Sequence, residues 1–518
     1  MGSPEVSDDP RRLAVIDLGS NTFRLVVFTS GDGWWKRTDE IFEAVRIGQG
    51  LAATGSLGEA PIQRALATTT VFAQFCAACG LSGESIRAVA TSAIRDASNA
   101  GDFLARAERE NGLDIRVLSQ AEEARYGYLA AVNSTTISDG CVLDLGGGSM
   151  QLVRVDGRLA RESESFRLGA VRMTERFLAE DRPAKRKELD ALRDHVRRKL
   201  GRAAWLPASG RRLVGIGGTV RNLATAAQKA AGLPSIGVQG MVITRAGLDD
   251  LVETLAGLPP AERADVPGIK SARGDLILAG AVVVATVLEV GGFETIEATE
   301  AGLREGVFFE HHIGGEVPLF DDVRRASVVN LAAQYHVDVA HTRHVAELAL
   351  GLFDELARAG LHPGDPIERE LLWSASVLHD IGMSVDYDDH HKHSRYLILN
   401  AGLPGYAPHE VAVMAQAALY HRKGMPDPGF LAPVLEEGDE ARLRRLAALL
   451  RLAEDLERSR DQSVREAHVR VSGGDVELRI LAAGDLAVPQ WAAQRETAVF
   501  ERAFPGTHLT VTGERIGA

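Results

Sequence analysis

The stretch AVIDLGSNTFRLVVF, residues 14–28, consists of an apolar run, a Gly-rich turn and a second apolar run. Both runs are rich in Val, Ile, Leu and Phe, so the stretch predicts two strands joined by the turn. The first strand ends in Asp17, and the turn contains Gly19, Ser20, Asn21 and Thr22. An ordinary hairpin closes with two or three turn residues, so this longer polar turn is a candidate ligand-binding loop.

A second copy of this pattern, CVLDLGGGSMQLVRV, occupies residues 141–155. Asp144, Gly146 and Ser149 stand where the first copy has Asp, Gly and Thr. The two copies are much further apart than the roughly 20–50 residues of a solenoid repeat. We therefore interpret them as the duplication of a whole lobe. A single Gly-rich turn is also typical of hairpins that bind nothing, and it is the matched pair that favours a shared ligand site.

The two turns carry the groups expected of a phosphate site. Glycine permits positive φ and a close approach to the ligand, and successive backbone N–H groups form a concavity that suits an anion. The hydroxyls of Ser20, Thr22 and Ser149 add donors. The carboxylates of Asp17 and Asp144 would repel bare phosphate, so we expect an intervening cation such as Mg²⁺. Both turns continue into strands, which excludes the P-loop and the dinucleotide fingerprint.

The composition of the 518-residue chain is that of a globular protein with several domains. A net charge of −13 argues against a DNA-binding protein, although a polyanion can still bind where positive groups are concentrated. No apolar run approaches the roughly 20 residues of a membrane span, and the N-terminal MGSPEVSDDPRR is polar. We therefore expect a cytoplasmic protein without a membrane partner. Cys76 and Cys79 lie in an apolar helical run and predict core residues, not a zinc site.

Arg95 and Glu123 are the candidate ligand-binding and catalytic side chains between the two copies. Arg95 follows the strand-like run ending in VATS and lies in the first turn of a predicted helix. A positive side chain is unfavourable at the N-terminus of a helix unless an anion binds both to it and to the helix end, so Arg95 is a candidate phosphate ligand. Pairing with Asp96 or Asp102 is the alternative. In LSQAEEARYGYLAAV, Ser119 and Glu122 form a capping box, which leaves Glu123 free. Beside bound phosphate this carboxylate would be an effective general base.

With these residues assembled, the chain resembles the exopolyphosphatase and guanosine pentaphosphate phosphohydrolase (Ppx/GppA) family. The resemblance rests on DLGSNTFRL, VATSAIRDASN, EEARYGYLA, DLGGGSMQLV, LVGIGGTVRNLA, EAGLREGVFFE and HHKHSRYLILN followed by YHRKGMP. It implies an actin-like (ASKHA) α/β fold of two lobes. It also implies a divalent ion, Mg²⁺ or Mn²⁺, and removal of terminal phosphate from inorganic polyphosphate or conversion of pppGpp to ppGpp in the cleft between the lobes.

The resemblance also assigns roles to residues of this chain. Glu123 matches the catalytic glutamate, and Arg95 matches a phosphate-binding arginine. The family's first phosphate loop corresponds to Gly19, Ser20, Asn21 and Thr22 of this chain. Its second phosphate loop corresponds to Gly146, Gly147, Gly148, Ser149 and Gln151. Gln151 departs from the family, which usually has glutamate there. Glutamine cannot ionise, so we expect altered metal use with activity retained through Glu123. A regulator that binds ppGpp or polyphosphate without turnover is the alternative that this departure favours.

The C-terminal third is helical and rich in histidine, and it resembles the HD-domain phosphohydrolases. The candidate ligands of a second divalent ion are His344, the sequence neighbours His379 and Asp380, and Glu454. Glu454 stands where the HD-domain proteins usually have an Asp. His391 and His421 are candidates for a further one. An alternative, which does not exclude a metal, is a basic wall for polyphosphate formed by Lys392, His393, Arg395, His421, Arg422 and Lys423.

We predict four domains: actin-like lobes at 1–134 and 135–312, a helical HD-like domain at 313–463, and a small α+β domain at 464–518. The long helical extension and its basic segments favour a processive exopolyphosphatase. The pppGpp phosphohydrolase is the nearest rival, and a sugar kinase is a weaker one because no sugar-binding signature is evident. The resemblance further implies a homodimer.

Overall fold

The computed structural model describes residues 10–516 of the chain, so the polar N-terminal segment at residues 1–9 lies outside the described part. The described residues fall into two compact units, divided after Val323. Both predicted actin-like lobes lie in the first unit. The helical and α+β segments lie together in the second, and the division into four domains stays a prediction.

The first sheet of the first unit has five strands in the order β3-β2-β1-β4-β5. Its strands are β1 (Arg11–Leu18), β2 (Phe23–Gly31), β3 (Trp34–Glu43), β4 (Ile86–Ala90) and β5 (Ile115–Val117). Strands β1, β2 and β3 are antiparallel neighbours, whereas β4 and β5 run parallel to β1. The α-helices of this part are α1 (Leu51–Thr54), α2 (Glu59–Ala78), α3 (Ser92–Asp96), α4 (Ala100–Asn111) and α5 (Gln120–Val132).

The second sheet has six strands in the order β10-β11-β9-β6-β7-β8. Its strands are β6 (Gly140–Leu145), β7 (Met150–Asp156), β8 (Leu159–Phe166), β9 (Leu213–Ile216), β10 (Val242–Thr244) and β11 (Thr295–Ala298). The accompanying α-helices are α6 (Ala170–Phe177), α7 (Arg186–Leu200), α8 (Gly218–Ala230), α9 (Arg245–Ala256), α10 (Gly274–Gly291) and α11 (Leu303–Ile313). Short 3-10 turns span Gly83–Ser85, Leu206–Ala208, Arg263–Asp265 and Ser271–Arg273.

The first four strands of the two sheets repeat one topology, as the sequence echo predicts. In each, an antiparallel meander of three strands, β1-β2-β3 or β6-β7-β8, is extended by parallel strands on the side of its first strand. The registers also match, because Asp17 pairs with Arg24 and Asp144 pairs with Gln151. Each Gly-rich turn therefore joins the first two strands of its own sheet.

Helices α5 and α11 pack together, and one apolar cluster combines them with strands of both sheets. It includes Val15 of β1, Val142 of β6 and Phe308 of α11, whose ring stacks on Phe28 at 4.3 Å. Burial of this cluster holds the two turns at a common position, because each turn leaves a strand that the cluster covers.

One segment of the first unit is apolar enough to resemble a membrane span. Residues Ser271–Gly291 form a helical stretch with a mean hydropathy of 1.9, so the expectation that no apolar run approaches that length was wrong. Length and composition alone are the basis of this likeness. However, 83% of its apolar window is buried, and α10 packs against α6, α7 and α9. Burial in the interior of the protein, as in a core helix, accounts for its apolar composition.

The second unit contains a helical part followed by a small sheet. Its helices are α12 (Val323–Gln334, which begins at the boundary), α13 (Val339–Arg358), α14 (Pro366–Leu378), α15 (His390–Asn400), α16 (Pro408–Tyr420), α17 (Asp439–Leu456), α18 (Ala487–Gln494) and α19 (Thr497–Ala503), with 3-10 turns at Ile381–Ser384 and Gly429–Val434. The sheet consists of β12 (Val464–Ser472), β13 (Asp475–Ala482) and β14 (His508–Arg515). Strand β12 packs on α13, and α18 and α19 pack on α17.

Candidate active site

The two Gly-rich turns close in the same way. The N–H of Gly19 donates to the carbonyl of Thr22 at 3.1 Å, and the N–H of Gly146 donates to the carbonyl of Ser149 at 3.0 Å. None of the glycines in these two turns has a left-handed backbone, so the expected use of positive φ was wrong. Their small size matters instead, because the two turns touch.

The surroundings of the second turn leave little room for a side chain at two of its glycines. A Cβ at Gly147 would lie 3.2 Å from the Cβ of Ser20, and one at Gly148 would lie 2.6 Å from the Oγ of Ser92. Ser20 and Ser92 are themselves hydrogen bonded at 3.0 Å between their hydroxyl oxygens. The two turns therefore form the walls of one cleft.

The cleft contains a cavity of about 110 Å³ that is open to solvent. Predicted site residues that line it are Asp17, Gly19, Ser20, Asn21, Thr22, Glu123, Asp144, Gly146, Gly147 and Ser149. Further lining residues that the sequence analysis did not select include Arg24, Gly217, Gly218, Arg221, Arg273 and Arg304. Gly148, Gln151 and Arg95 are not among the lining residues.

Glu123 is free to line the cavity because the capping box uses the side chain of its neighbour, Glu122. Ser119 accepts from the N–H of Glu122, and the carboxylate of Glu122 accepts from the N–H of Ser119, as predicted. Glu123 is 5% exposed, and burial raises the pKa of its carboxyl group against the opposing charge of Arg95. A buried carboxylate with a raised proton affinity, at the wall of a polar cavity, has the properties of a general base.

Arg95 supports Glu123 and does not line the cavity. Its Nη1 donates to Oε2 of Glu123 at 2.7 Å and to the carbonyl of Leu118 at 2.9 Å. Asp96, the neighbour considered as its alternative partner, pairs with Arg167 and Arg172. The structure thus places Arg95 as a positioning residue for Glu123. The position of Arg95 at a helix start could not reveal this role, because its partner Glu123 belongs to a different helix, α5.

Gln151 is connected to Glu123 through a serine. The amide Nε2 of Gln151 donates to Oγ of Ser149 at 3.0 Å, and that hydroxyl donates to Oε1 of Glu123 at 3.0 Å. A second contact joins the same amide to Ser165 at 3.3 Å. Gln151 is 1% exposed, so its side chain orients the hydroxyl and does not contact the cavity.

The carboxylates of Asp17 and Asp144 differ in their partners. Asp17 lies 3.3 Å from Nη1 of Arg304. Among the described residues no hydrogen bond or ion pair engages Asp144, whose pKa is raised to about 7 by burial and by the charges of Glu123 and Asp17. Burial also raises the pKa of Asp17. These oxygen donors fit a hard cation such as Mg²⁺, and Asp144 is the one that has no hydrogen-bond or ion-pair partner among the described residues.

Positive charge in the cleft comes mainly from residues that the sequence analysis missed. Burial lowers the pKa of Arg221 and of Arg273 to about 10, with added repulsion from other cleft arginines. In residues 10–516 neither of these two guanidinium groups has a carboxylate within ion-pair distance, whereas Arg304 is paired with Asp17. Buried and uncompensated cations of this kind favour a bound polyanion.

A third glycine turn places two of these arginines. Gly217 has φ of 100° immediately before α8, and a Cβ there would lie 2.7 Å from the carbonyl of Leu145. Arg221 follows one turn into α8, and the guanidinium of Arg273 covers Gly218. The signal was present in LVGIGGTVRNLA, which combines a glycine pair with an arginine at the start of a helix.

Comparison with known proteins agrees with this arrangement. A model of the Ppx/GppA phosphatase family matches residues 26–312, and a model of Ppx/GppA phosphatase domain III matches residues 323–487. The structure of the Aquifex aeolicus member of that family is 30% identical, with a TM-score of 0.50, and the match covers 58% of this chain and 97% of that one. The chain belongs to the Ppx/GppA phosphatase family.

A second solved structure shares the fold of this family member. It is an exopolyphosphatase from Cytophaga hutchinsonii, 23% identical, with a TM-score of 0.55 over 58% of this chain and 97% of that one. The family model confirms the recognition of the family from its sequence motifs. Membership makes the chain a phosphatase and leaves its substrate to be argued from the cleft.

In the second unit the structure brings three predicted metal ligands together but replaces the fourth. His379 and Glu454 lie 3.2 Å apart, next to Asp380. His341, and not His344, completes this group, with its Nε2 3.0 Å from Oε2 of Glu454. The selection of His344 was therefore wrong.

Helical periodicity could not make that choice. His341 and His344 lie one turn apart on the same side of α13, so both are compatible with a buried site. Packing decides: Nε2 of His344 contacts the carbonyl of Val464 at 2.8 Å, at the start of β12.

The candidates for a further ion are also revised. Nε2 of His421, one of the two candidates, lies 3.9 Å from Oδ1 of Asp380. His391 faces Asp389 at 4.0 Å, whereas Nε2 of its neighbour His390 lies 3.4 Å from Oδ1 of Asp380. His390 thus replaces His391, because the helix start turns the first of the two histidines inward.

The residues predicted to form a basic wall do not share one environment. His421 is 2% exposed and belongs to the histidine group, so its place in the wall was wrong. Lys392 and Lys423 both approach Asp389, at 2.7 and 3.7 Å, which offsets part of their charge. The others are half-buried: His393, Arg395 over the ring of Phe430, and Arg422 over the ring of Tyr387.

Proposed function

We propose that this phosphatase is an exopolyphosphatase, which removes the terminal orthophosphate of inorganic polyphosphate in the cleft of the first unit. The observation that carries the proposal is the lining of the cleft, in which backbone turns, hydroxyls and four arginines surround Glu123. None of the described lining residues has an aromatic ring on which a guanine base could stack. Such a lining suits a repeating polyanion better than a nucleotide.

In the proposed reaction Glu123 accepts a proton from a water molecule in the cleft. The water oxygen forms a bond to the terminal phosphorus, and the bond from that phosphorus to the bridging oxygen breaks. Orthophosphate and a chain shorter by one unit leave. N–H groups of the two turns, with Arg221 and Arg304, offset the charge on the phosphoryl oxygens.

Asp144, together with Asp17, would hold a divalent ion such as Mg²⁺ or Mn²⁺. When bound, the ion supplies positive charge to the phosphoryl oxygens. Arg95 keeps the carboxylate of Glu123 in place, and Ser149 fixes the orientation of its second oxygen. The water is thus activated by groups of the chain itself.

The test of this proposal compares two substrates. Phosphate release is measured from long-chain polyphosphate and from pppGpp at matched concentrations with Mg²⁺ present. We expect kcat/KM for polyphosphate to exceed that for pppGpp. Faster release from pppGpp would instead identify a pppGpp phosphohydrolase. Tight binding of either compound without release would identify the non-catalytic sensor that Gln151 brought into consideration.

The pH dependence of phosphate release provides a further prediction. A general base must be ionised, and the pKa of Glu123 is raised above its ordinary 4.5, so release should decline with falling pH from a point above 4.5. In Gln151→Glu the new carboxylate accepts the Ser149 proton and adds negative charge. Both effects raise the pKa of Glu123, and the acid limb of kcat/KM should move upward by about one pH unit.

The control for this experiment is Gln151→Met, which is of similar size and brings no charge. Its acid limb should stay near that of the wild type. A pH profile whose acid limb lies at 4.5 and does not respond to Gln151→Glu would contradict the connection through Ser149.

Arg273→Gln tests the contribution of the cleft arginines. Arg273 has no carboxylate partner among the described residues, so its charge is available to the substrate. Loss of a charge-assisted hydrogen bond should raise KM for polyphosphate about tenfold or more. Steady-state kinetics provides the measurement, with Arg186→Gln, at an exposed position on α7, as control. An unchanged KM would remove Arg273 from the substrate site.

A further inference from the structure

The second Gly-rich turn is held from behind by the start of helix α6. The N–H groups of Ala170 and Val171 donate to the carbonyls of the first two glycines of the turn, at 3.0 and 2.9 Å. The carbonyl of the third glycine, Gly148, receives no backbone N–H among the described residues. The side chain of Arg172 binds it instead, with 3.2 Å between Nε and the carbonyl oxygen.

The direction of this carbonyl fixes the direction of the next N–H. The peptide bond is planar and trans, so the N–H of Ser149 points opposite to the carbonyl of Gly148. That carbonyl faces Arg172 on α6, so the N–H of Ser149, a residue that lines the cleft, is directed away from α6. Within residues 10–516 this N–H has no hydrogen-bond partner, as expected of a donor that serves a bound anion.

The guanidinium of Arg172 makes a second contact, with helix α3. Its Nη2 donates to Oδ2 of Asp96 at 3.1 Å, and Asp96 is the last residue of α3. The preceding residue, Arg95, binds the carboxylate of Glu123. One side chain on α6 therefore connects the second turn with the short helix that positions the general base of the proposed reaction.

Only an arginine can make both contacts in a fixed geometry. Nε and Nη2 belong to one planar group and present neighbouring N–H bonds to the two acceptors. A lysine has one nitrogen on a flexible stem, so it cannot hold both acceptors in the same way. The side chain of Arg172 is 18% exposed and is not among the residues that line the cleft, so it acts on the reaction through other residues.

We propose that Arg172 is a positioning residue for phosphate hydrolysis, which holds the N–H of Ser149 and the carboxylate of Glu123 in a fixed relation across the cleft. The inference rests on the proposed reaction, in which the turn binds the phosphoryl oxygens and Glu123 meets the attacking water. Both groups must be correctly placed in the same transition state. A displacement of about 1 Å in such an arrangement can lower the rate by about 10²-fold.

The test compares Arg172→Ala, Arg172→Lys and Asp96→Ala with the wild type in steady-state release of phosphate from polyphosphate and from pppGpp. We expect Arg172→Ala to lower kcat by about 10- to 100-fold and to change KM by less than about threefold. Arg172→Lys should have an intermediate kcat. Asp96→Ala should also lower kcat, and adding it to Arg172→Ala should cause no further loss, because both act through one connection.

Arg167→Ala is the matched control. Nε of Arg167 lies 3.2 Å from the same Oδ2 of Asp96, but the side chain of Arg167 is 66% exposed. Within the described part of the chain it forms no hydrogen bond with the second turn. Its removal should therefore leave kcat within about twofold of the wild-type value.

Hydrogen exchange of residues 146–150, followed by mass spectrometry, tests the position of the turn without any turnover. Exchange of this segment should be about tenfold faster in Arg172→Ala and unchanged in Arg167→Ala. Circular dichroism checks that each variant has folded, and Arg172→Lys provides a milder change of the same contacts.

The inference is overturned if exchange of this segment in folded Arg172→Ala equals that of the wild type. It is also overturned if Arg172→Ala raises KM without lowering kcat, or if Arg167→Ala loses as much kcat as Arg172→Ala. Failure of the proposed function gives a different result: the wild type would release no phosphate from either substrate, while the difference in exchange between the two variants would persist.

Discussion

Glu123→Gln should lower the turnover of phosphate release from polyphosphate by about 10²- to 10⁴-fold. The amide keeps the size of the side chain but cannot accept a proton from water. The two turns and the cleft arginines are unchanged, so binding of phosphate and of polyphosphate should be largely retained. Turnover is measured by the release of orthophosphate, and affinity by calorimetric titration of the same variant.

Glu122→Gln is the control for this experiment, because it changes the adjacent residue of the same helix. Glu122 closes the capping box and does not line the cavity, so its loss costs about 1 kcal/mol of stability or less and leaves turnover near the wild-type value. Wild-type turnover in Glu123→Gln would show that another group activates the water.

Asp144→Asn should have two effects of opposite sign. Turnover should fall by about 10²- to 10³-fold, because the uncompensated carboxylate that would hold the divalent ion is lost. Stability should increase at alkaline pH. The folded chain holds the proton of Asp144 up to about pH 7, whereas an unfolded chain releases it near 3.8.

The sign follows from linkage between proton binding and folding. Below pH 3.8 the carboxyl group is protonated in both states and has no effect. As pH rises to about 7, only the unfolded state loses its proton, so the free energy of unfolding decreases. Asparagine does not ionise, and Asp144→Asn should therefore be more stable than the wild type at pH 8 by about 2–4 kcal/mol.

Chemical denaturation in the presence of a chelator, at pH 4 and at pH 8, measures this difference. Asp139→Asn is the control, because Asp139 is an exposed aspartate whose pKa is lowered by hydrogen bonds from Ser138 and Gly157. It should not stabilise the chain at pH 8. A variant at position 144 that is less stable than the wild type at pH 8 would show that the carboxylate is ionised and paired in the folded state.

The sequence alone determined the features that depend on local chain geometry. The capping box at Ser119 and Glu122 made Glu123 the free carboxylate, and the structure has both hydrogen bonds of that box. The repeated Asp–Gly turn predicted the duplicated lobe, because strand pairing and turn closure depend on neighbouring residues. The first four strands of the two sheets accordingly have the same order, and the register at the turn is the same.

Tertiary structure decided which distant side chains share a site. Arg221, Arg273 and Arg304 reach the cleft from three separate elements, and Arg95 meets Glu123 from another helix. On α13, periodicity admits both His341 and His344, and only packing against α17 and β12 separates them. These choices depend on how apolar faces are buried against each other, which brings together residues that no local pattern relates.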